Sequence, residues 1–170
     1  MSYALCIWDP ARHAPLPTSA KEAMATLERL REVSDTENAA LVGFGAALAE
    51  HADSNRMEFW GCDPVATTRM CRSAVYRLAI PHEECDPQIA IAVEAAGRGG
   101  LVVVDDELGI CFLPDGTIFP ESSRKMWATA LELMRAEQLD PNAPHEDNRT
   151  LLQKVASELF DALGRGNKRI

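Results

Sequence analysis

The chain has 170 residues, 46% of them hydrophobic and 25% charged, with a formal net charge of −9. That size suits a single globular domain over 1–170, able to bury roughly two-thirds of its unfolded surface, and the balance excludes a disordered chain. The acidity argues against electrostatic binding to nucleic acid, and no run of about eighteen apolar residues offers a membrane span.

The first residues, MSYALCIWDPARH, show no basic segment followed by a long apolar core, so no signal peptide and a cytoplasmic location are expected. Within this stretch Tyr3 to Trp8 is an uncharged apolar run suited to a central strand buried on both faces, and Asp9-Pro10 stops it. Ser19 and Glu22 form an S-x-x-E capping box. Met24, Leu27 and Leu30 then follow at helical spacing, so the first helix is expected from about Ala20 to Val33. Asp35 or Thr36 can cap a second helix, whose Leu41, Phe44, Gly45 and Leu48 fall on one face and which fades near Ala52.

Met57 to Cys62 reads as a short strand on the β-propensity of Phe59 and Trp60, closed by Gly61 and Asp63-Pro64. Ser73 to Ile80 alternates, with Val75, Arg77 and Ala79 on one face and Tyr76, Leu78 and Ile80 on the other. Asp86 before Pro87 opens a helix through Ile89, Ile91, Ala92, Val93 and Ala96, which the glycines at 97, 99 and 100 end. The stretch GGLVVVDDELGICFLPDGTIFP reads as a hairpin of Leu101–Val104 and Ile110–Leu113 around an acidic turn. A second tight turn at Asp115-Gly116 then returns Thr117–Phe119. Beyond Pro120 one helical stripe runs through Met126, Trp127, Ala130, Leu131 and Met134, and another through Leu152, Val155, Leu159 and Leu163.

This order predicts an α+β domain, a mixed or antiparallel sheet of about five strands with helices packed on one face. A ferredoxin-like βαββαβ core fits, with strands at 3–8, 57–62, 73–80 and 101–105 and two C-terminal helices added.

Chemistry is sparse. Pro81 to Asp86 gathers His82, Glu83, Glu84, Cys85 and Asp86 before a helix N-terminus. A thiolate there would gain from the helix dipole, so a small thiol or metal enzyme around Cys85 and His82 is the alternative reading, against a solvated acidic loop capped by Asp86. Asp105, Asp106 and Glu107 are either paired carboxylates for acid and base work or the polar tip of a hairpin. His13, His51 and His145 have no Ser or Cys partner at a justified spacing, and no GxGxxG, P-loop, GxSxG or HExxH occurs. The five cysteines, at 6, 62, 71, 85 and 111, make no CxxC pair and read as free thiols. Trp127 and Trp8 read as core. Trp60, beside Gly61 and alternating with Phe59, is the tryptophan suspected of exposure, with core packing as its other fate.

Two stretches, Tyr3-Ala4-Leu5-Cys6-Ile7-Trp8 and Gly100–Asp105 followed by Phe112-Leu113-Pro114-Asp115-Gly116, resemble small bacterial immunity proteins that neutralise secreted polymorphic or type VI toxins. The resemblance implies a rigid scaffold with no catalytic group and no cofactor, and a cognate basic toxin or other basic protein as partner. It carries over no toxin-binding residue. The contacts that chain chemistry suggests are Glu83, Glu84, Asp86, Asp105, Asp106 and Glu107, with Trp60 as an aromatic anchor. Self-association along an open sheet edge is a third possibility, and the oligomeric state stays open.

Overall fold

Tyr3–Trp8 forms strand β1, an interior strand second from one edge of a five-stranded antiparallel sheet. The other strands are β2 (Val75–Ile80), β3 (Val102–Asp105), β4 (Ile110–Phe112) and β5 (Ile118–Phe119), in the order β2-β1-β3-β4-β5. The computed structural model describes residues 3–52, 56–80, 85–125 and 127–128. The chain divides into two units, residues 1–127 and 128–170, and the fold described below is that of the first. The helical stripe of Leu152 to Leu163 lies outside the described residues, whereas the stretch after Pro120 is helical at 121–125 and 127–128.

β1 is flanked by two strands that both run against it, with Leu5 opposite Leu78 on one side and Asp105 on the other. β2 and β3 are therefore parallel to each other with β1 between them, a split βαβ unit. Helix α5 (Cys85–Arg98) makes the crossover. An apolar run with no charge is what such a central strand requires, and residues 4–8 are all buried.

Helices cover both faces of the sheet, where the sequence suggests one. On one side α1 (Ala20–Arg31) sets Ala23, Leu27 and Leu30 against Cys6, Trp8, Val75, Val102, Val104 and Cys111. On the other, α5 meets β1, β2 and β3, and α2 (Ala39–Glu50) lays Phe44 edge-on to Tyr76, centroids 6.2 Å apart. Trp127 packs edge-on to Phe112 on that same side, at 4.9 Å. The alternation expected of β2 is observed, with Arg77 and Ala79 exposed and Tyr76, Leu78 and Ile80 buried.

The segment expected to be a strand at 57–62 is instead a short helix, α3 (Arg56–Trp60), followed by α4 (Pro64–Met70). The α+β class holds, but with no strand at 57–62 and this strand order the ferredoxin-like core does not form. Tertiary packing overrides β-propensity here: Trp60 is fully buried and its indole N–H donates to the carbonyl of Leu48 at 3.0 Å. Asp63, read as a strand stop, caps α4 through bonds from the N–H groups of Val65 and Ala66, with Pro64 in the first turn. α2 is capped by Asn38 rather than by Asp35 or Thr36. In the capping box of α1 the Ser19 hydroxyl accepts from Glu22 N–H as expected. Glu22 reaches back one residue further, to the N–H and hydroxyl of Thr18.

Candidate protein-binding surface

The turn between β3 and β4 combines rigidity with display. Asp105, the last residue of β3, is fully buried, and its Oδ1 accepts from the N–H groups of Glu107 at 3.0 Å and Leu108 at 2.9 Å. Gly109 closes the turn at φ 66°, a conformation that favours glycine. Glu107 points into solvent, and Leu108 is 51% exposed at the tip.

Arg31, in the last turn of α1, ties this tip to the helix. Its guanidinium donates to Asp106 Oδ2 and, at 2.6 Å, to Glu28 Oε1. All three side chains are partly exposed, so the links orient the surface more than they stabilise it. Glu28, Asp106 and the exposed Glu107 thus form an acidic rim at the hairpin tip, bridged by Arg31.

Of the seven residues expected at a partner surface, Asp106 and Glu107 lie on this rim. Asp105 does not: its carboxylate is spent inside the turn, and it is a scaffold for Glu107 and Leu108 rather than a contact. Trp60 is corrected in the same way. Its ring is buried, edge-on to Phe59 at 4.9 Å, and it is no surface anchor. Glu83 and Glu84 lie outside the described residues, as does His82, and so do the side chains of Asp86 and Cys85. Leu108, Arg31 and Glu28 went unmarked in the sequence, because only the fold brings α1 to the hairpin; the sole local hint was a leucine inside an acidic turn.

A second polar cluster also joins distant residues. His13, which the sequence leaves without a partner, has its Nε2 2.7 Å from Asp35 Oδ2, and Arg12 Nη2 lies 2.9 Å from Asp35 Oδ1. Burial alone opposes charge on Asp35. The Thr36 N–H, His13 and Arg12 outweigh it and hold the carboxyl below its ordinary value.

The thiols divide by depth. Cys6 and Cys111 are buried on the α1 face with Val104 between them in register, about two strand spacings apart and beyond disulfide reach. Burial pushes the Cys111 thiol up to about 12, and burial with the nearby Asp106 raises Cys6 despite the Arg31 guanidinium. Cys62 and Cys71 are partly exposed. Among the described residues no three His, Cys, Asp or Glu side chains are grouped to hold a metal ion, and no helix is long and apolar enough to cross a membrane.

No protein-family model, no curated protein and no solved structure matches the chain.

Proposed function

We propose that this protein is a protein-binding module, an immunity protein that neutralises a cognate basic toxin by direct contact through its acidic surface. The observation that carries the proposal is the distribution of charge: residues 1–127 hold 19 acidic side chains against 11 basic ones, nearly the whole of the chain's excess. Such a field speeds encounter with a cationic protein and repels nucleic acid. Asp106 and Glu107, with Glu28 and Leu108 beside them, are the contacts of first choice, and Glu83, Glu84 and Asp86 remain candidates on sequence grounds alone.

The test is calorimetry of the full chain with the product of the reading frame adjacent to its own, at low and moderate salt. The expected result is sub-micromolar affinity that weakens as salt rises, and that falls roughly tenfold in Glu107→Lys. Absence of binding at about 10 µM, or binding indifferent to salt and to Glu107→Lys, overturns the proposal.

A further inference from the structure

The connection from Asp9 to Thr18, between β1 and α1, is fastened to the rest of the molecule largely through one carboxylate. Asp35 takes His13 on one oxygen and Arg12 on the other. Arg12 also donates to Thr36 Oγ1 at 2.6 Å and to the Glu37 carbonyl at 3.2 Å, and Asn38 Nδ2 donates to Asp9 Oδ2 at 3.2 Å. Asp35 is itself anchored, its backbone N–H donating to the Arg72 carbonyl at 2.9 Å. The inner side of the connection is apolar: Ala14 packs on the core cluster that contains Trp8, and Pro17 is buried. Its outer side leaves Leu16 43% exposed.

Trp8 in that cluster is fully buried, yet its indole Nε1–H meets no acceptor, whereas the indole of Trp60 is bonded. A buried donor without an acceptor disfavours the closed arrangement relative to one in which water reaches it. The contacts on Asp35 act the other way. The two contributions act in opposite directions on one short segment.

We propose that residues 9–18 form a latched strap: the contacts of His13 and Arg12 with Asp35 hold it closed over Trp8, and releasing them lets it lift and opens the Trp8 indole to solvent. The groups around the latch are Asp9, Arg12 and His13 from the strap, Thr36, Glu37 and Asn38 beside Asp35, and Arg72, whose guanidinium is engaged by the carbonyls of Arg69 and Cys71. The strap is independent of whether the acidic rim binds a toxin.

Indole hydrogen exchange in the 15N-labelled full chain reads the opening directly. In Asp35→Asn, and to a smaller extent in His13→Gln, exchange at Trp8 is expected to accelerate roughly 10- to 100-fold, the equivalent of one charge-assisted hydrogen bond, with Trp60 unchanged. Unchanged Trp8 exchange in folded Asp35→Asn overturns the proposal, as does an equal rise at Trp8 and Trp60, which signals global unfolding. If Asp35→Asn does not fold, wild-type exchange in low urea decides. Trp8 exchange almost independent of urea supports a local lift, and exchange with the urea dependence of global unfolding refutes it. A lasting cross-peak between the Trp8 indole and a bound water also overturns it, because the donor then has a permanent partner.

Discussion

One helix carries the same substitution with opposite outcomes two residues apart. Gly45 in α2 faces α4 so closely that an added Cβ would lie 2.3 Å from Thr68 Oγ1 and 2.6 Å from the Pro64 carbonyl oxygen. Neither neighbour can yield freely: Thr68 is 1% exposed and its hydroxyl donates to that carbonyl at 2.8 Å. Gly45→Ala gains about 1 kcal/mol of helix propensity. Against it stand overpacking of about 1–3 kcal/mol and roughly 0.5–1.5 kcal/mol for the disturbed Thr68 bond. The net is a destabilisation of about 0.5–3.5 kcal/mol, a fall in Tm of roughly 1–14 °C for a chain of this size. Gly43 is exposed on the same helix with nothing within 4 Å of its added Cβ, so Gly43→Ala keeps only the propensity gain. It should stabilise by about 0.5–1 kcal/mol. Urea unfolding followed by circular dichroism measures both, and the m-value reports whether unfolding stays two-state. Gly45→Ala as stable as wild type, or a shift of the same sign for both, would refute the account of α2 against α4.

Three further outcomes are expected. Because the Asp35 carboxyl is held below its ordinary value, the stability it contributes is present above the unfolded carboxylate range and is lost as pH falls through its folded value. Urea midpoints between pH 6 and pH 3 should therefore drop less steeply in Asp35→Asn than in wild type, and equal slopes would count against the Asp35 pairs. Trp60→Phe empties part of a buried site and removes the bond to the Leu48 carbonyl. A loss of about 1–3 kcal/mol in chemical denaturation is expected, and a loss within about 0.5 kcal/mol would return Trp60 to the surface. In brief alkylation of the native protein followed by peptide mass spectrometry, the partly exposed Cys71 should label before Cys6 and Cys111, which become reactive only on unfolding. Early modification of Cys111 would contradict its place under α1.

What the chain discloses locally is what local physics decides. The alternation of Tyr76 to Ile80 stated which side chains are buried because period two sends successive residues to opposite faces, while Val75 on the Arg77 face is buried by α1. The tight turn expected at Asp115-Gly116 forms, with Gly116 at φ 83°. The Ser19 cap is likewise a contact between near neighbours. The failures are the converse. Phe59 and Trp60 have the propensity of a strand, but five residues carry too little of it to resist a buried indole bonded to α2. His13 and Asp35 lie 22 positions apart with no pattern linking them, and only the return of the chain after α1 creates their pair. Asp105 and Glu107 look equivalent in sequence. Burial separates them, since the pleat turns Asp105 inward opposite Leu5 while the turn carries Glu107 out.

The position of β1 between two strands that are synthesised much later has a kinetic consequence. The first apolar segment of the chain has no sheet partner until residues 75–80 exist, and its second edge stays unpaired until residues 102–105 follow. Contacts of such sequence separation slow folding and leave β1 exposed in any shortened product. A nascent or truncated chain that ends within α5 would have β2 beside β1 and an adhesive, uncharged edge on the other side. Aggregation of fragments lacking β3 through the unpaired edge of YALCIW is the expected outcome.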